Sequence, residues 1–227
     1  MAIRTLRDSL SMDSLWEELV FTEARLLGDE NAKEFSPTIR QLMDRLERVR
    51  TGQVAAWREE IAAEAAVAEA DDLLDDWVHA LDVALLGILE QDTLSPRYRR
   101  YFSDAPSSIM RLRLESQIAR VRCWAESLAT EPERVLQDLG TRLRALMTKG
   151  NAALDRRRRA AAARQDHRVR NIKPMISDIN DSRHALFGTL TKKAVDLHLP
   201  RPWPNRFFRQ GARRAKPESR PAATPAA

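Results

Sequence analysis

The sequence predicts an all-α fold, and three observations carry that prediction. Glycine is scarce, with seven in 227 residues, which leaves few sites for the tight turns of a β-rich chain. The eleven prolines leave the stretches 38–95 and 133–173 free of proline, as long helices require. Along both stretches apolar residues recur three to four apart, the period of one helix face.

Taken in order, residues 13–28 form a short helix with Leu15, Trp16, Leu19, Val20, Leu26 and Leu27 inward and Gly28 as its C-cap. Ser36-Pro37 opens a long helix as N-cap and first helical residue. Its stripe runs through Ile39, Leu42, Leu46, Val49, Val54, Trp57 and Ile61, then Leu74, Trp77, Leu81, Leu85 and Ile88. Residues 92–105 connect it to a second short helix from Pro106 to about Leu128. Thr130 and Glu133 have the spacing of a capping box. A helical pattern then persists to about His198, with Lys173-Pro174 expected to kink or restart it. Residues 209–227 lack apolar periodicity and are expected to be a disordered basic tail.

The two halves resemble each other. Thr51-Gly52-Gln53-Val54-Ala55-Ala56 matches Lys149-Gly150-Asn151-Ala152-Ala153-Leu154, and Ala84-Leu85-Leu86-Gly87-Ile88-Leu89 matches Ala185-Leu186-Phe187-Gly188-Thr189-Leu190. An aromatic, proline-bearing stop follows each long helix: Tyr98, Tyr101 and Phe102 in one, Trp203, Phe207 and Phe208 in the other. The expected organisation is a repeat over 1–105, an intertwined repeat over 106–208, and the tail.

Charge suggests how the repeats meet. Residues 58–76 hold eight acids and one base, whereas 155–173 hold eight bases and two acids, and both segments are rich in alanine. The expectation is an antiparallel, alanine-lined coiled coil of these two segments, their charges choosing the partner. An unbroken helix over 37–91 would extend about 80 Å, so the architecture expected is an elongated dumbbell, two helical heads on a coiled-coil waist. The alternative is a compact multi-helix bundle in which each long helix folds back, near 66–70 and 166–171.

For function, the composition excludes more than it selects. Cys123 is the sole cysteine, so no internal disulfide or multi-cysteine metal site forms; its apolar helical surroundings place it in the core. No stretch has the length of a membrane span, and a cytoplasmic location without membrane contact is expected. No Walker-type loop, His-Glu-x-x-His or Gly-x-Ser-x-Gly occurs. The sequence points to no cofactor and no catalytic residue.

Three classes of function remain. The first is a scaffold or adaptor binding a protein partner through Tyr98, Tyr101, Phe102, Trp203, Phe207 and Phe208, if these form exposed aromatic patches rather than caps over the heads. The second is nucleic-acid association through Arg209, Arg213, Arg214, Lys216 and Arg220; residues 1–208 carry only one of the chain's five net positive charges, and the Arg156–Arg159 run is expected to be neutralised internally. The third is a metal-dependent bundle enzyme using the Asp76/His79 and Asp181/His184 pairs with Glu18 and Glu115, although the stripes put both histidines on helix flanks. Trp16, Trp57, Trp77 and Trp124 lie on apolar stripes and are expected in the core.

Overall fold

The computed structural model describes residues 3–209. Among the described residues there is no β-strand, and the chain is an all-α helical bundle. Helix α1 (Met12–Leu27) is opened by the Ser11 hydroxyl, which accepts the Ser14 N–H, and closed by the Gly28 N–H on the Ala24 carbonyl. A 3₁₀ turn (Lys33–Phe35) leads into α2 (Ser36–Ile88), which runs 53 residues without a break. The fold-back near 66–70 in the compact alternative does not occur.

Helix α3 (Pro96–Tyr101) is capped by Ser95, with Pro96 in the first turn, where a missing N–H costs nothing. The single short helix expected over 106–128 is three pieces: α4 (Pro106–Met110), α5 (Leu114–Val121) and α6 (Trp124–Ala129). The inward residues Ile118, Val121, Trp124, Ala125 and Leu128 keep helical spacing across the α5–α6 break, so periodicity alone does not reveal it. Helix α7 (Arg134–His167) passes through a π-helical turn (Arg168–Ile172) into α8 (Lys173–Asp196). Pro174 supplies the cause: its ring has no N–H to give and crowds the preceding turn, and widening that turn accommodates it. The capping box does not form, because the Thr130 hydroxyl donates to the Ser127 carbonyl and the Glu133 side chain goes to Arg97.

The described residues divide into two compact units, one formed by those up to residue 52 with those from 168 onward and one by residues 53–167. Each draws on both halves of the sequence. In the first, Leu15, Leu19 and Leu26 of α1 share a core with Ile39, Leu42 and Leu46 of α2, Ile176, Ile179 and Leu190 of α8, and Trp203, Phe207 and Phe208. In the second, Leu74, Trp77, Leu81 and Leu85 of α2 pack with Tyr98, Tyr101 and Phe102, the α5–α6 residues Val121, Trp124 and Leu128, and Leu136, Leu139 and Leu143 of α7. Trp124 lies against Trp77, Tyr101 and Phe102 at centroid distances of 6.3, 5.7 and 5.4 Å.

Within the second unit α2 and α7 are antiparallel. Glu59 binds Arg156 at 2.8 Å, Glu60 binds Arg164, and Glu69 binds Lys149 at 2.6 Å. Acidic and basic segments do meet, but not in the expected register: pairing 58–76 end to end with 155–173 would bring Glu59 to residue 172. The partners instead sit about two to four turns nearer the start of α7. Apolar burial decides this. The Trp77 indole N–H donates to the Leu139 carbonyl at 3.0 Å in the buried core, and one buried large side chain contributes about 1.5–3 kcal/mol, more than an exposed ion pair.

Gly140 and Gly150 of α7 permit its close approach to α6 and α5, where an added Cβ would meet Leu128 and Ile118. A Cβ at Gly140 would lie 2.9 Å from Leu128 Cβ and 3.1 Å from the Ala125 carbonyl oxygen, whereas one at Gly188 in α8 meets nothing within 4 Å. Gly140→Ala is therefore expected to destabilise by about 1–3 kcal/mol and Gly188→Ala to stabilise by about 0.5–1 kcal/mol. Chemical denaturation of the two variants checks this, and the same sign for both would contradict the packing described.

Candidate interaction surface

All six aromatic residues singled out in the sequence are buried, none more than 6% exposed. Tyr101 donates to Glu131 at 2.7 Å, and Glu131 also accepts from Arg97 Nη2 at 2.7 Å and from Arg100. Burial, with the Glu131 carboxylate beside it, raises the Tyr101 pKa. Tyr98 donates to Asp82 at 2.6 Å, and its phenol is pushed up to about 12 by burial and that carboxylate. Trp203 donates to Asp29 at 3.0 Å, and Phe208 lies 5.5 Å beneath the Arg183 guanidinium. These residues close the cores, so an exposed aromatic patch at the six positions is not what the fold presents.

The remaining sequence candidates are dispersed. Arg209 pairs with Glu17 at 2.8 Å, while Arg213, Arg214, Lys216 and Arg220 lie outside the described residues. In the arginine run, Arg156 is engaged by Glu59 and Arg158 by Glu115 at 2.6 Å, and Arg157 lines a groove described below. Glu18 is buried against Arg183 and Arg4. His79 and His184 are exposed, and among the described residues no group of three or more His, Cys, Asp or Glu side chains is placed to hold a metal ion. No helix there is long and apolar enough to cross a membrane.

Two core assignments are corrected. Cys123 is exposed, because the break between α5 and α6 falls at residues 122–123 and turns it outward. Trp57 is 50% exposed, with Val54 at 38% and Ile61 at 46%. From residue 47 to residue 62 of α2 no side chain is buried. The sequence pattern continues smoothly through Val54, Trp57 and Ile61, but continuity of a stripe does not supply a partner to cover it.

These three residues begin a seam of alternating three- and four-residue steps: Val54, Trp57, Ile61, Glu64, Ala68, Asp71. That is the repeat of a helix-pairing face. Its later part enters a groove of about 380 Å³ among α2, α5 and α7, floored by Val67, Ala68, Leu114 and Leu154. Arg113, Glu115 and Arg157 stand at its edge with Glu64 and Asp71. Asp71 Oδ1 is buried with no hydrogen-bond partner. Its pKa is raised, first by burial and then by the neighbouring Asp75 and Asp72 charges. Asp75 accepts from Gln117 Nε2 at 2.8 Å, and burial raises its pKa as well.

A carboxyl that holds its proton more tightly in the folded state destabilises the fold when ionised. The penalty is complete above the raised folded value and absent below the unfolded value of about 3.9. Asp71→Asn is thus expected to raise Tm at neutral pH, with the difference from wild type vanishing as pH falls through the carboxylate range. Thermal melts across pH check this, and a gain that persists in acid would contradict it. No family model, curated protein or solved structure matches the chain.

Proposed function

We propose that the protein is a non-enzymatic, cytoplasmic helical scaffold that binds a protein partner on the exposed seam of α2. The observation that carries this reading is the half-exposed Trp57 between Val54 and Ile61. A tryptophan flanked by aliphatic side chains is the residue pattern that dominates interface energies, and contiguous exposed apolar surface marks contact sites. The uncovered part of the helix is bordered by residues that already pair with α7, which hold it in place for an incoming surface. The exposed free thiol of Cys123 suits a reducing compartment.

The reading of the chain as duplicated, with a coiled coil of α2 and α7 inside the unit 53–167, has its own support. Each compact unit is closed by the aromatic stop that follows its long helix. Helices α2 and α8 also end alike, in left-handed residues Glu90 and His198, with Gln91 N–H returning to the Leu86 carbonyl and Leu199 N–H to that of Ala194. Ala63 and Ala70 on α2, like Ala153 and Ala160 on α7, are buried one heptad apart, as small residues between closely paired helices are.

The test is crosslinking of the full chain in cells followed by mass spectrometry. The wild-type chain is expected to capture a defined protein, and Trp57→Glu to reduce that capture by at least about tenfold. Equal capture by both, or turnover of a metabolite by the purified protein, would refute the reading.

A further inference from the structure

We infer that the groove among α2, α5 and α7 binds a small aliphatic zwitterion, a molecule whose ammonium and carboxylate groups are separated by an apolar body. The site goes beyond the scaffold reading and does not depend on a protein docking at Trp57. Its volume of about 380 Å³ falls within the range of small-molecule pockets. The two signs of charge come from different elements. Glu64 and Asp71 stand on α2, Arg157 on α7, and Arg113 immediately before α5. The floor is apolar, from Val67, Leu114 and Leu154.

These four charges are not used within the chain. Glu115, at the same edge, is taken by Arg158 at 2.6 Å. Glu64, Asp71, Arg113 and Arg157 form no ion pair and no side-chain hydrogen bond among the described residues. A single ligand with one charge of each sign satisfies both sets. Asp71 gives the pairing its direction. One of its oxygens is buried with no donor, and burial and the charges of Asp75 and Asp72 raise its pKa. No cation opposes that rise, although two arginines line the same groove. An ammonium set against this carboxylate supplies the missing counter-charge. The aliphatic body then covers Val67, Leu114 and Leu154. The ligand carboxylate meets Arg113 and Arg157, whose planar guanidinium groups match it.

The test is titration calorimetry of the full chain with ε-aminocaproate, hexylamine and hexanoate, repeated with Asp71→Asn, Arg157→Gln and Trp57→Glu. Circular dichroism confirms that each variant is folded. The zwitterion is expected to bind, and each singly charged analogue to bind at least about tenfold more weakly. Asp71→Asn and Arg157→Gln are each expected to weaken the zwitterion by a similar factor. Trp57→Glu, which alters only the neighbouring face, is expected to bind it as wild type does. Absence of zwitterion binding up to about 10 mM would overturn the inference. So would an analogue that binds as tightly, an Asp71→Asn or Arg157→Gln protein with wild-type affinity, or loss of binding in Trp57→Glu.

Discussion

Burial of Trp77 against α7 is the contact on which the second unit depends. The indole is fully buried, and its N–H is satisfied by the Leu139 carbonyl. Sliding the helices by one turn would therefore lose both the apolar contact and the hydrogen bond. The consequences run along both helices. With the register held there, Asp75 accepts from Gln117 of α5 and Asp71 lines the groove that α5 and α7 form with α2. Arg157 is then left at the rim of the groove. Charge complementarity acts only where the apolar register happens to allow it, at Glu59, Glu60 and Glu69.

Each unit also contains one buried acid around which polar contacts converge. In the second unit Glu131 gathers Arg97, Arg100 and Tyr101, tying the start of α7 to the aromatic stop. In the first unit Glu18 takes Arg183 at 2.8 Å and Arg4 at 2.6 Å. Arg183 is 1% exposed, its Nε and Nη2 atoms lack partners, and desolvation lowers its pKa against the opposing pull of Glu18. A buried ion pair of this kind adds little net stability over an apolar substitute, yet losing one member strands the other charge. Its effect is to define one arrangement of α1 and α8. The Asn180 amide reinforces it by bonding both the N–H and the carbonyl of Leu6.

Where these anchors end, the helices are bare. Between Leu46 and Ala63 of α2, and between Ala160 and Met175 across the π-helical turn, no residue is buried. Alanine-rich helix with charged flanks can persist in such a segment because alanine has the highest intrinsic helix propensity. Only α2 places a tryptophan there with two aliphatic neighbours. That face therefore carries the functional reading, whereas the aromatic stops, richer in the same residue types, are occupied with closing the cores.

Several features were legible from the residues. Proline spacing gave the span of α2, and Pro174 gave the interruption before α8. The three-to-four periodicity identified Leu15, Leu19, Leu74, Trp77, Leu81 and Leu85 as inward, because a helix must bury its apolar side somewhere. The same periodicity hid the breaks in 106–128, since inward spacing survives a bend, and it placed Trp57 in the core, since a stripe does not state whether anything lies opposite it. Net charge pointed to a meeting of the acidic and basic segments but not to its register, because screened surface pairs are weaker than the burial of one large side chain. Helical class and helix extent thus followed from local preference, which the sequence carries by itself. Register, the Asp71 groove and the uncovered face of α2 were decided only in the tertiary structure, because they depend on which distant surfaces the apolar contacts brought together.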